Sequence, residues 1–247
     1  EVFALMIGDR NQVGEFHYGV TANMNFSRSK TTFQERSAYR SSWDRWKNGN
    51  IDRYHDIGWG YEVIGRYHNY DQIRNGVIET GGYGNSKTLP GDYMHLDLNG
   101  DGIVDNYDTK PIGYSDIPEI VYGFGFSLQW KAFDLSAFFQ GVAHVSFSTL
   151  TDQTQAFVGR NLKESSVFAD LYGNTWTPEN PGAKYPRMTT GAIDNNNQLS
   201  TFWMANGRYL RLKNLELGYT LPKRIANKIA MQSLRVYLSG VNLFTFS

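Results

Sequence analysis

From Phe16 to Ser27 apolar and polar side chains alternate without a break. Phe16, Tyr18, Val20, Ala22, Met24 and Phe26 fall on one face, and His17, Gly19, Thr21, Asn23, Asn25 and Ser27 on the other. Period two marks a strand with one apolar face, and this run is longer than the ~5–6 residues usual in soluble sheets. The pattern returns with Ile120, Tyr122, Phe124, Phe126, Leu128 and Trp130 against Val121, Gly123, Gly125, Ser127 and Gln129. It returns again with Phe133, Leu135, Ala137 and Phe139 against Asp134, Ser136, Phe138 and Gln140. Only Lys131 and Ala132 separate these two runs, so they form an antiparallel hairpin with Trp130 and Phe133 bracketing its turn.

Three further stretches read as strand. In Tyr209–Leu221 the residues Leu215, Leu217, Tyr219 and Leu221 alternate with Asn214, Glu216, Gly218 and Thr220, while Leu210 and Leu212 fall in the opposite register. Such a slip calls for a bulge near Lys213. Leu234–Phe246 carries Val236, Leu238, Phe244 and Phe246 on one face, and the apolar run Glu1–Ile7 reads as part of another strand. Between the last two strands, Ile225 and Ile229 lie four apart behind Pro222. That suits one or two helical turns, with proline near the first position.

The connections differ sharply in length. Lys30–Leu96 and Val145–Asn206 have no sustained period, and the second contains Trp176-Thr177-Pro178-Glu179-Asn180-Pro181 and Tyr185-Pro186-Arg187. Irregular connections of that length are unusual in a compact soluble domain. They are ordinary in outer-membrane barrels, which combine long extracellular loops with short periplasmic turns. Composition agrees: aromatics make up 15% of the chain and there are 25 glycines, and periodic glycine and aromatic residues are a cue for barrel-like all-β architecture. No run approaches the ~18–20 apolar residues of a membrane helix, a test to which a β-barrel is silent. With 24 basic and 24 acidic residues there is no electrostatic case for nucleic acid. Absence of cysteine excludes disulfides, thiolate metal sites and cysteine nucleophiles.

One run states its chemistry directly. In Asp97-Leu98-Asn99-Gly100-Asp101-Gly102-Ile103-Val104-Asp105-Asn106-Tyr107-Asp108, side-chain oxygens fall at Asp97, Asn99, Asp101, Asp105 and Asp108. Gly102 sits where the chain must bend, and Ile103 can offer its carbonyl. This is the ligand order of an EF-hand-type Ca²⁺ loop, with the shorter Asp in place of Glu at the last position; an Asx-rich turn is the plain alternative. No helix flanks the loop, so the expectation is a structural staple rather than a sensor. Trp43, Trp46, Trp59, Trp176 and Trp203 are candidates to stack on sugar rings, against the plain alternative of loop packing. The histidines (His17, His55, His68, His95, His144) show no metal spacing, and no nucleophile motif, phosphate loop or paired carboxylates argue for catalysis.

Several motifs in one order carry a family resemblance. They are Leu96–Asp105, Ile112-Gly113, Tyr122-Gly123-Phe124, Phe133–Gly141, the two proline-rich pieces, Tyr209–Pro222, Arg235-Val236-Tyr237 and Asn242–Thr245. Over about Trp59 to Ser247 the chain resembles the C-terminal barrel of SusC/RagA-type TonB-dependent outer-membrane transporters. The resemblance implies an all-β fold, an antiparallel transmembrane β-barrel of which residues 1–247 form the C-terminal part, with the plug domain and the final closing strand absent from this chain. It implies import of oligosaccharides or peptides across the outer membrane of a Gram-negative bacterium, driven through TonB, with a SusD/RagB-like surface lipoprotein as partner. On this reading Tyr18, Phe124, Leu128, Leu135 and Leu217 face lipid, Trp130, Phe133 and Tyr219 lie in an interfacial belt, and the acidic loop is an extracellular staple. The alternative is a soluble all-β glycan-binding module stabilised by Ca²⁺.

Overall fold

The computed structural model describes residues 2–80, 83–151, 167, 169–189 and 193–247. In chain order its elements are β1 (Val2–Val13), β2 (Phe16–Ser27), α1 (Ser42–Asn48), β3 (Gly58–Gly60), β4 (Val63–Arg66), α2 (Tyr70–Asn75) and β5 (Tyr93–His95). After a 3₁₀ turn (Asn106–Asp108) come β6 (Lys110–Gly113), β7 (Ile120–Trp130), β8 (Phe133–Ala143), β9 (Ser146–Ser148) and β10 (Met204–Asn206). Then follow β11 (Tyr209–Thr220), α3 (Lys223–Ala226), a second 3₁₀ turn (Asn227–Ile229) and β12 (Arg235–Phe246). These fall into two compact units. The first comprises Glu1–Thr32, Ser115–Val145 and Gly207–Ser247, and the second Phe33–Tyr114 and Ser146–Asn206.

The first unit is one sheet in the order β1-β2-β7-β8-β11-β12, and every neighbouring pair is antiparallel. Its register turns the alternation of each strand into continuous rows. One row runs Ile7, Ala22, Phe124, Phe139, Leu212, Phe244 across all six strands. Another takes in Tyr18, Leu128, Leu135, Leu217 and Leu238, so the five residues expected to face lipid share one face with it. Phe16, Trp130, Phe133 and Tyr219 form a third row at the short-turn end, where the Phe133 and Tyr219 rings lie 4.7 Å apart. The strands of 11 or 12 residues match the ~9–11 needed to cross a bilayer at a tilt.

The sequence slip at Lys213 is a bulge. Leu212 pairs with Phe139 and Phe244, but Asn214 pairs with Phe138 and Val241. The extra residue restores Leu210 and Leu212 to the face that carries Leu215 and Leu217, because a one-residue slip moves every later side chain to the other side. On β12 the same step is absorbed around Asn242, whose φ is +55. Lys213 itself reaches Gln140 on the polar face, Nζ to Oε1 at 2.6 Å.

On that polar face Phe138 is an apolar exception, and Gly123 and Gly125 of β7 make room for it. A Cβ at these positions would lie 2.9 and 3.1 Å from its ring. Arg235 bridges Asp134 and Glu216 on the same face. The β1–β2 turn has Gly14 at φ +62 and the β7–β8 turn has Lys131 at φ +54, since tight hairpin turns need positive φ to match strand twist. The second half of β1, Gly8–Val13, pairs with Phe16–Thr21 although its sequence carries no alternation.

The opposite strand ends are tied by Glu119. Its carbonyl accepts from Ser27 N, its N–H donates to His144 O, and its carboxylate meets Arg28 Nε at 2.9 Å and His144 Nδ1 at 3.3 Å. The two long excursions leave from and return to this end of the sheet.

Among the described residues the second unit has only short ladders, β3 with β6, β4 with β5 and β9 with β10. Its centre is aromatic and polar: Tyr67, Tyr93, His95, Val104, Asp92, Asp108 and Ser200 are fully buried. Glu79 accepts from the Tyr67 hydroxyl at 2.9 Å and from His95 N at 3.0 Å, and its other oxygen lies 2.9 Å from His95 Nδ1. Asp92 accepts from Leu89 N, Asn196 Nδ2 and Arg187 Nη2, with Arg187 Nε 2.7 Å away. Burial pushes the Asp92 carboxyl above its ordinary range, and these donors, led by Leu89 N–H, pull it back. Gly91, at φ +94, lies under Trp176, where a Cβ would approach the indole to 2.3 Å.

Two outcomes follow. Deleting Lys213 reverses the facing of half of β11 and should abolish formation of the folded sheet, whereas Lys213→Ala removes one exposed hydrogen bond worth about 1 kcal/mol; gel mobility of unheated samples and circular dichroism report both. Gly91→Ala should destabilise the second unit by about 3 kcal/mol or more through the clash and the positive φ, seen as earlier urea-dependent exposure of tryptophan.

Candidate functional site

Helix α1 begins where Ser41 Oγ accepts Asp44 N at 3.1 Å and stops at Gly49, whose N–H closes on Arg45 O. Its spacing sets Trp43, Trp46 and Lys47 on one side, as residues three and four apart must be. Trp43 Nε1 donates to Tyr107 O at 3.1 Å, and the two rings lie 4.3 Å apart. Lys47 Nζ donates to Asn106 O at 2.7 Å and sits over the Trp43 ring. Burial lowers the pKa of Lys47, opposed by the Asp105 carboxylate.

Trp46 stands edge-on to Trp59, with centroids 5.0 Å apart. Arg53 lies 5.0 Å over Trp59 and donates to Lys47 O. Trp46 remains 43% exposed. The cluster therefore leaves Trp46 partly open to solvent beside two more indoles, with Lys47 over Trp43 and Arg53 over Trp59.

The five tryptophans singled out by sequence divide. Trp43, Trp46 and Trp59 come together; Trp176 and Trp203 do not join them. Trp203 is 3% exposed, donates to Asn196 O and packs on Phe202. Trp176 is 9% exposed and lies on Gly91. Neither presents a face for stacking in this conformation. Tyr107, Lys47 and Arg53 complete the cluster, and nothing local in the sequence marks them as its members.

The acidic loop abuts this cluster through Asn106 and Tyr107. Asp97 accepts from Gly100 N and Gly102 N, Asn99 from Asp101 N, Asp101 from Ile103 N, and Asp105 from Tyr107 N. Asp108 accepts from Leu98 N, Asn99 N and Asp105 N. Gly100 and Gly102 take φ of +77 and +87, the left-handed backbone that the bend needs. A carboxylate has about four acceptor positions, so these bonds leave capacity on Asp97, Asp101 and Asp105. Among the described residues no three His, Cys, Asp or Glu side chains converge as a metal centre.

No family model matches the chain. It is 33% identical over 192 residues to TonB-dependent receptor P3 and 29% identical over 188 residues to TonB-dependent receptor P26, both of Formosa agariphila, covering 75% and 76% of this chain. The chain spans about 18% of the length of each of these curated relatives. Among solved structures, the RagAB peptide transporter aligns with 99% of this chain and 25% of its own at a TM-score of 0.65 and 20% identity. The RagAB peptide importer in its open-open state aligns over 99% at a TM-score of 0.63. At that identity these likenesses speak for the fold, an antiparallel barrel sheet. Over three quarters of its length the chain is thus similar in sequence to TonB-dependent receptors, and its six-stranded sheet has the fold of part of an antiparallel barrel.

Proposed function

We propose that the chain is the C-terminal barrel part of an active importer of oligosaccharides or peptides, energised through TonB and working with a SusD/RagB-like surface lipoprotein. The observation that carries this reading is the apolar face that runs over six antiparallel strands and gives way to polar residues at Asp9 and Asn11 of β1, joined to receptor relatives by sequence. Strands with a one-sided apolar surface and polar opposite face are what a lipid-embedded barrel with an aqueous interior requires. In such barrels the long connections are extracellular, so Trp46, with Trp43 and Trp59 behind it, is our candidate substrate contact. The RagAB structures are named for a peptide importer, which keeps peptides beside sugars as cargo.

The acidic loop is proposed to take up one Ca²⁺ through Asp97, Asn99, Asp101, Asp105, Asp108 and the Ile103 carbonyl, as a staple of the loop. The supporting feature is the donor set itself: hard oxygen ligands, four of them carboxylates, in one loop.

Cells lacking the receptor should lose growth on one oligosaccharide or peptide source, and loss of TonB should reproduce the defect. A surface lipoprotein should co-purify with the receptor. Unchanged growth on every such source would overturn the reading. Trp46→Ala should lower uptake about three- to tenfold at limiting substrate, the worth of one aromatic contact. Excess Ca²⁺ over chelator should raise the unfolding temperature of the receptor, and Asp101→Ala should remove that increment; equal unfolding temperatures with and without the ion would dismiss the Ca²⁺ proposal.

A further inference from the structure

We propose that Asp108 is a positioning residue for the tryptophan cluster, acting through the turn on which α1 is seated. The inference rests on the reading of Trp46 as a substrate contact only for its functional meaning; the mechanical link stands on the geometry alone. Helix α1 has seven residues and buries none of them. A helix that short is unstable by itself in water, so its place is set by what it docks against. Two of its side chains make hydrogen bonds to the acidic turn, Lys47 Nζ to Asn106 O and Trp43 Nε1 to Tyr107 O. The Trp43 ring also rests on Tyr107.

Those two carbonyls belong to a single turn of 3₁₀ helix held in a reciprocal box. Asp105 Oδ1 accepts Tyr107 N, Asp108 Oδ2 accepts Asp105 N, and Asp108 N donates to Asp105 O. Asp108 is 2% exposed, and its other oxygen gathers Leu98 N and Asn99 N from the start of the loop. One buried carboxylate therefore closes the loop and fixes the direction in which Asn106 and Tyr107 present their carbonyls. Loss of that carboxylate leaves three inward N–H groups without their acceptor. The turn then rearranges, α1 loses its seat, and Trp46 leaves Trp59.

The test is amide exchange on the full receptor in detergent, with chelator present so that no cation contributes. Asp108→Asn is isosteric, but it replaces an acceptor oxygen with an NH₂ that faces N–H donors. Exchange of the α1 amides Arg45–Asn48 should rise at least about tenfold, with a shift in tryptophan emission. Lys47→Met, which removes one seat bond and leaves the loop intact, should loosen α1 while Leu98 and Asn99 stay protected. It also carries the test should Asp108→Asn fail to fold. If Asp108→Asn frees Leu98 and Asn99 but leaves α1 unchanged, Asp108 holds only its own loop and the proposal is overturned. So is it if Lys47→Met has no effect on α1. Trp46→Ala uptake reads the substrate role separately, so a failure there leaves the link between Asp108 and α1 standing.

Discussion

In hydrocarbon a backbone N–H or C=O without a partner costs several kcal/mol, and the six-stranded sheet is organised by that cost. Each neighbour pair is antiparallel and in continuous register except at one place. Once the backbone is paired in this way, side chains have only two directions to take. The alternation of Phe124, Phe126 and Leu128 with Gly125, Ser127 and Gln129 is then forced rather than chosen. Lys213 shows how strict the constraint is. Its strand gives up one pairing step rather than turn Leu210 and Leu212 to the polar side.

The second unit answers the same demand differently. Its ladders are three or four residues long, so strand pairing cannot satisfy most of its backbone. Side chains take over. Asn196 accepts from Tyr93 N and Asn195 donates to Tyr93 O, which serves a short strand as a neighbouring strand would. Thr201 Oγ1 accepts from Val63 N in the same manner. The buried Asp92–Arg187 and Glu79–His95 pairs belong to this arrangement. A buried carboxylate is tolerable where donors surround it; the donors to Glu79 come from within the first excursion, whereas Arg187 and Asn196 reach Asp92 from the second and fasten the two excursions to each other.

This division explains what could be read from sequence. The strand periods, the hairpin at Lys131-Ala132, the bulge at Lys213 and the turn of helix after Pro222 were legible because each is a local consequence of period or of proline. The Gly8–Val13 half of β1 was not, since Asp9, Arg10, Asn11 and Gln12 carry no apolar face and the segment is placed by its pairing with β2. In the excursions the signal disappears because folding there depends on single long-range bonds. Trp203 and Trp46 look alike in sequence. Trp203 is buried with its indole N–H on Asn196 O, a contact set by how the aperiodic segment between them folds and not by local spacing. Arg187 was visible within Tyr185-Pro186-Arg187, but its partner Asp92 was not.

The acidic loop fits this scheme without invoking an ion for its basic shape. Asp97, Asn99, Asp101, Asp105 and Asp108 each accept at least one backbone N–H from within the loop. In a segment with no ladder, side-chain oxygens at alternating positions do the work of a neighbouring strand, and the glycines supply the bend. A cation would add to that order by offsetting the repulsion among four carboxylates. Because the same turn supplies the carbonyls under Trp43 and Lys47, whatever tightens the loop also tightens the aromatic cluster. The acidic motif thus acts on the cluster through backbone geometry.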